Sequence, residues 1–451
     1  MSSRPGVAAG RSMFEVGFAA AGITPPVGTP LAGNFRDDYA SRGVHDRLRS
    51  RAAVIGRGGR AVAIIVADLL TMPEALSRRV REGVARRTGL PPRHMMVAAT
   101  HTHSGPAVEP VAGPDQAAAI IDQVAPAMVA SCVKAWRARR PARLWSAAGR
   151  AEGVFFNRRL LLNDGRTVMN WTLPSAHEIE RPLGPVDEQV AVLFAGDELE
   201  HPGLVVANAA LHAAILAGDN WLMGADWPGF FCRAVEDFFG PGACAMFLQG
   251  AEGNVNHIDA RDRLQGRGFK EAQRIGLAVA AAARAAQHGA RPVAGPVAAS
   301  SEVVCLPARR ISRQQLAWAR RVVAAAAPGG PLGGQVDGIP DLLFARDQIS
   351  MAHRRTPYEA EIQVFRIGDA AVVGLPGEFF VEFGLAIKKS SPARVTFVVG
   401  LANGSVGYVP TLRAFRQGGY EPTPWRYSRL APQAGAICVA SARRQMQALF
   451  C

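Results

Sequence analysis

Short apolar runs of strand length recur along this chain, and several stop on a polar residue able to do chemistry. That pattern constrains the fold more than any other feature. Met95-Met96-Val97-Ala98-Ala99 reads as a buried strand, and Ser104-Gly105-Pro106 turns the chain just beyond it. Between them stand Thr100-His101-Thr102-His103. On a strand, residues i and i+2 share a side, so His101 and His103 are expected to face one site. Neutral imidazole is a common zinc ligand and readily moves protons near pH 7. A satisfied structural pair would have the same spacing, so the rest of the chain must decide.

Strand-like runs at 52–55, 61–67 and 95–99 alternate with a helical stretch at 74–88, which favours an α/β fold. A longer helix is expected at 116–139, kinked by Pro126. Further strands are expected at 190–194, 204–210, 245–248, 362–367, 370–375 and 395–399, and helices at 269–288 and 314–327. Residues 328–340 are rich in Gly and Pro and read as a surface excursion or lid. No repeat or low-complexity linker divides the chain, so the expectation is one composite mixed-sheet catalytic domain over 12–445, preceded by a flexible 1–11.

The net charge of +14, mostly arginine, raises the question of nucleic acid or anionic membranes. Those arginines are scattered, and no zinc finger, RNA-recognition signature or basic helix accompanies them, so no nucleic-acid partner is expected. The six cysteines form no C-x-x-C pair, which argues against a structural zinc knot or a disulfide framework. Glycines 17 and 22 interrupt the only apolar stretch near the N-terminus, and no segment reads as transmembrane. A cytoplasmic protein is the simplest expectation.

Three more strand ends display candidate residues. His212 closes the run Asn208-Ala209-Ala210-Leu211 and precedes Asp226-Trp227-Pro228-Gly229. Glu378 follows a strand within Leu375-Pro376-Gly377-Glu378-Phe379-Phe380, where a carboxylate is costly unless it is ion-paired or bound to metal. Tyr408 ends the loop Gly400-Leu401-Ala402-Asn403-Gly404-Ser405-Val406-Gly407 and, taken alone, reads as a packing aromatic.

Together these segments resemble the neutral/alkaline, non-lysosomal ceramidase family, from about Phe14 to Tyr420. The resemblance runs in family order. It opens with Val16-Gly17 through Ile23-Thr24-Pro25, then His45-Asp46-Arg47, Ala67-Asp68 and the His-Thr-His-Ser-Gly-Pro turn. It continues with Asn157-Arg158, Gly184-Pro185-Val186-Asp187, His212 with Asp226-Trp227-Pro228-Gly229, Gln249-Gly250, Pro376-Gly377-Glu378 and the loop to Tyr408. The family places a catalytic zinc between two histidines, a glutamate and a tyrosine. Carried over residue by residue, these are His101, His212, Glu378 and Tyr408, with His103 the alternative to His101. The resemblance further implies a proton-transfer or amide-oxygen role for His103, and a site-lining Asn157-Arg158 pair whose arginine holds the scissile carbonyl or the developing oxyanion.

Two departures qualify it. Where the family has Gly-Asp-x-Ser-Pro-Asn, this chain has Gly253-Asn254-Val255-Asn256-His257, so Asn256 stands in the place of a serine considered as nucleophile. A metal-water mechanism survives that change; a covalent serine mechanism does not. The chain is also expected to lack the family's secretory signal and immunoglobulin-like C-terminal domain, which would weaken the case for membrane ceramide. The expectation is a zinc-dependent hydrolase of a linear N-acyl amide, either ceramide or a smaller acyl-amine or acyl-amino-acid conjugate. Its alternatives are an esterase, acyltransferase or cyclase acting on a specialised metabolite, and a non-catalytic lipid- or nucleic-acid-binding scaffold. The substrate walls are expected to include the 328–340 excursion and Trp227.

Overall fold

The computed structural model describes residues 13–34, 38–110, 113–216, 218–326 and 334–451, so the expectation for 1–11 lies outside the described residues. Twelve strands carry the architecture. They are β1 (Phe14–Gly22), β2 (Arg49–Arg57), β3 (Arg60–Ala67), β4 (Met95–Ala99), β5 (Arg140–Arg150), β6 (Gln189–Gly196), β7 (Leu204–Ala209) and β8 (Cys244–Gln249). The remaining four are β9 (Val297–Leu306), β10 (Tyr358–Ile367), β11 (Ala370–Gly374) and β12 (Val395–Val399). The first eight run in the order β8-β7-β6-β5-β1-β2-β3-β4, with a short ninth strand, Arg291–Pro292, paired onto β5. The last four form a second sheet in sequence order. Both sheets are mixed: β3 with β4, β7 with β8 and β11 with β12 are parallel, and the other pairs are antiparallel. The chain is therefore a mixed α/β protein.

Period-two alternation explains the layering. Along β3, Val62, Ile64 and Val66 enter the core between the two sheets, while Ala63, Ile65 and Ala67 face helices. Those helices are α1 (Glu74–Thr88) and α2 (Pro114–Arg137). On β6, Leu193 faces Phe365 and Phe397 of the second sheet, whereas Val192 and Phe194 face α3 (Asp226–Phe239) and α4 (Gly268–Ala286). The second sheet's outer face carries Ile362, Val364 and Val373, covered by α5 (Val381–Ser390) and α6 (Ala434–Phe450). Helices, large sheet, small sheet and helices stack as four layers.

Several local expectations change. The helix expected at 116–139 runs instead from Pro114 to Arg137, with Pro126 inside it. That helix is long and apolar enough to cross a membrane, contrary to the sequence reading, although half of its apolar stretch is buried against β1, β2 and α1. Residues 14–22, read only as a glycine-interrupted stretch, form β1; Gly17 is where α2 presses closest, since a Cβ there would collide with the Ala135 carbonyl. Of the 328–340 excursion, 328–333 lies outside the described residues, and Gln335–Val336 pairs with Ile339–Pro340 as a short hairpin.

Candidate metal centre

The three parallel pairs point their C-terminal ends to one end of the sandwich, where loops beyond parallel strands form crevices. His101 follows β4, His212 follows β7, Glu252 follows β8 and Glu378 follows β11. The pairing of Glu378–Phe379 with Tyr408–Val409 then brings Tyr408 alongside Glu378.

His101 and His103 converge, but not through strand alternation. The strand ends at Ala99, and His101 has a left-handed backbone with φ of 68°. That conformation is uncommon for a residue with a Cβ. It is held by the His101 N–H to Leu69 O at 3.0 Å and by ring Nδ1 to Leu70 O at 2.7 Å. His103 Nδ1 meets Gly33 O at 2.7 Å, and His212 Nδ1 meets Glu252 O at 3.3 Å. A carbonyl oxygen only accepts, so all three rings carry their proton on Nδ1 and turn an Nε2 lone pair inward. Nε2 of His101 lies 2.9 Å from that of His212 and 3.4 Å from that of His103.

Glu378 Oε2 lies 3.5 Å from His101 Nε2 and 3.6 Å from His212 Nε2. Ligands on bonds of about 2 Å around a tetrahedral ion stand about 3.3 Å apart, so this triangle is of metal-site size. His101, His212, Glu252 and Glu378 offer donor atoms within 4.8 Å of one another, and all four residues are buried. Glu378 Oε2 and both Glu252 carboxylate oxygens lack any hydrogen-bond partner. Buried anionic oxygens without donors are costly, and a cation among them removes that cost. The donor set fits a metal ion. His101 belongs both to this group and to a His101/His103/His212 group, whereas His103 belongs only to the latter.

The electrostatics agree. Burial pushes the Glu252 carboxyl up to about 8. Burial, reinforced by the charges of His101 and Arg158, drives His212 well below the usual imidazole range. At His101 burial acts downward, but Glu378, Glu252 and the Leu70 carbonyl together outweigh it and the net shift is upward. Burial and the neighbouring Glu378 hold the Tyr408 phenol well above its ordinary range, so it keeps its proton.

A cavity of about 460 Å³ opens onto this centre, bordered by His101, His103, His212, Glu378, Arg158, Tyr408 and Asn256. Arg158 is buried, not solvent-facing: Nε donates to Glu421 Oε1 at 3.0 Å and Nη2 to the Tyr420 hydroxyl. Its Nη1 sits 3.4–3.5 Å from both ring nitrogens of His212. Tyr420 Oη donates in turn to Tyr408 Oη at 2.9 Å. Asn256 borders the cavity, but its amide is locked in a reciprocal pair with Asn170 at 2.7 and 2.8 Å. Asn157 turns away from the cavity; it donates to Pro185 O and accepts from Arg159 N–H. Trp227, expected on the substrate wall, instead packs on Phe247 behind His212 and donates to its carbonyl. Trp171, Tyr420, Trp425 and Tyr427 line the wall, joined by Asp337, Gly338 and Ile339 of the hairpin.

The sequence offers Glu252, beside the 253–257 turn, only as a replacement polar contact of unassigned role, and it leaves Tyr420 and Glu421 unmarked. Glu252 carried a usable signal, since it follows an apolar strand just as Glu378 does. Tyr420 and Glu421 sit in a segment of mostly short turns, with no periodicity to mark them.

A sequence profile for the N-terminal part of the neutral/alkaline non-lysosomal ceramidases matches residues 14–239. Among solved structures, neutral ceramidase from Pseudomonas aeruginosa is similar with a TM-score of 0.74 at 21% identity, over 97% of this chain and 74% of that one. A ceramidase complexed with C2 is similar with a TM-score of 0.74 at 20% identity, over 97% of this chain and 75% of that one. At these identities the structural likeness speaks for the fold.

Proposed function

As the chain belongs to the neutral/alkaline non-lysosomal ceramidase family, we propose that it is a zinc-dependent hydrolase of a linear N-acyl amide. The observation that carries this reading is the inward-turned set of Nε2 lone pairs beside the unpartnered Glu378 Oε2. His101, His212 and Glu378 would hold the ion, a donor set suited to catalytic zinc. A divalent cation there supplies Lewis-acid polarisation of a carbonyl and acidifies water near neutral pH.

The chain's own groups do the rest. His103 borders the cavity with its Nδ1 held by Gly33 O, which suits it to accept the proton of an attacking water and return it to the departing amine nitrogen. Arg158 donates to Tyr420 and Tyr420 to Tyr408, which leaves the Tyr408 hydroxyl proton to point elsewhere. Tyr408 and Arg158 both border the cavity, placed to meet negative charge developing on the amide oxygen. Asn256 offers no nucleophile and has its amide occupied, consistent with attack by water. A second cavity of about 560 Å³ shares Trp171, Ala214, Gly218, His257 and Ile258 with the first, which suits an elongated substrate.

The test is a panel of N-acyl amides with matched esters, incubated with zinc-loaded protein and read by mass detection of the released amine or alcohol. Amine release that disappears on chelation and in His212→Ala is expected. Turnover of esters alone would move the assignment to an esterase or acyltransferase. No turnover of either would leave a binding scaffold.

A further inference from the structure

We propose that Glu252 is a further protein ligand of the metal, closing the site from behind. This rests on the metal-site reading above. Glu252 is fully buried, and neither carboxylate oxygen meets a hydrogen-bond donor. One of those oxygens belongs to the group that lies within 4.8 Å of the donor atoms of His101, His212 and Glu378.

Three observations fix its role. First, Glu252 is fully buried and, unlike His101, His212 and Glu378, does not border the cavity, which puts it on the far side of the cluster. Second, that far side is closed by backbone: a Cβ on Gly400 would come within 3.1 Å of Glu252 Oε2 and would collide with Gly250 O. A group sealed in this way is satisfied by a bare ion held between it and the imidazoles. Third, the nearest guanidinium is committed elsewhere, because Arg158 is ion-paired with Glu421 at 3.0 Å. With its proton displaced by the metal, the Glu252 carboxylate joins Glu378 in supplying the two negative charges that a dication cancels.

The main chain of Glu252 serves the same centre, since its carbonyl accepts from His212 Nδ1 and sets that ring's orientation. A set of two imidazoles and two carboxylates is also harder than one with a single carboxylate, so it binds Mn²⁺ relatively better.

The experiment compares wild type and Glu252→Gln by competitive chelator titration with Zn²⁺ and with Mn²⁺, alongside melting of the metal-free and metal-loaded proteins. Loss of an outer partner costs roughly 10–100-fold in affinity, so loss of a direct ligand in Glu252→Gln is expected to exceed about 100-fold. Glu252→Gln should also gain less in melting temperature on metal addition than wild type does. A purely structural role would lower the metal-free melting temperature and leave the gain on metal addition as in wild type. Glu252→Gln binding Zn²⁺ as wild type does overturns the proposal while leaving the metal site standing. Wild type that binds neither ion removes the metal reading itself. Should Glu252→Gln not fold, Glu252→Ala, which leaves space instead of an unpaired amide, carries the same comparison.

Discussion

His101 occupies a left-handed backbone position because Leu69 O and Leu70 O hold its amide and its ring. Replacing His212 with Ala removes one of the two imidazoles common to both donor groups, so metal content in the purified variant should fall to background by elemental analysis. Glu421 illustrates a different dependence. It receives Arg158 at 3.0 Å and Arg159 at 2.7 Å with no solvent exposure, so Glu421→Gln leaves two cations in the core. Breaking a buried pair costs roughly 3–5 kcal/mol, and a urea titration should show a loss of that size. His257 supplies a pH signature: burial lowers its imidazole to about 4. Below about pH 6.5 the unfolded chain protonates this ring while the folded chain does not, so folding stability falls as pH drops from about 6.5 to 4, by on the order of 3 kcal/mol. Denaturation curves across that window should lose this component of the slope in His257→Gln. At this scale the sequence spoke where a residue type is chemically odd for its place, as with Glu378 among aromatics. It misled at Trp227, because nothing in a sequence says on which side of His212 an indole packs.

Elements deliver these residues through their ends. His101, His212, Glu252 and Glu378 stand two to four positions past an apolar strand, and the matched directions of the parallel pairs bring those ends together. Between them, the turn at 253–256 carries structure where the family pattern has chemistry. Asn254 Oδ1 accepts the Val381 N–H at the start of α5 at 2.8 Å, and its Nδ2 donates to Glu382 at 3.0 Å. An unsatisfied helix-start donor costs about 0.5–2 kcal/mol, so Asn254→Ala should lose about that much stability with its zinc affinity little changed, measured by melting and by titration. Strands β3, β4, β7, β8 and β12 were legible because uniform apolar runs with sharp polar boundaries have few other solutions. β1 and β5 were not. Glycine in the one is a packing contact with α2, and arginine at both ends of the other projects to the surface, so neither shows a plain alternation.

At the scale of the molecule, the centre is shared between two sheets. The large sheet supplies His101, His212 and Glu252, and the small one supplies Glu378 and, through pairing, Tyr408. Donor spacing therefore depends on how the sheets are held apart by residues such as Phe365 and Phe397. Phe397→Ala should cost about 3–5 kcal/mol as a core cavity and should also weaken metal binding, although the residue is not itself a donor. Melting and chelator titration on the same sample would register both effects. The four-layer stacking was not readable beforehand, since alternation says which residues share a face and not which other face they meet. The most direct test of the whole account is an anomalous-scattering map from crystals of the metal-loaded protein. A single peak about 2 Å from His101 Nε2, His212 Nε2 and a Glu378 carboxylate oxygen is predicted. Crystals that take up metal with no peak among those three atoms would contradict it.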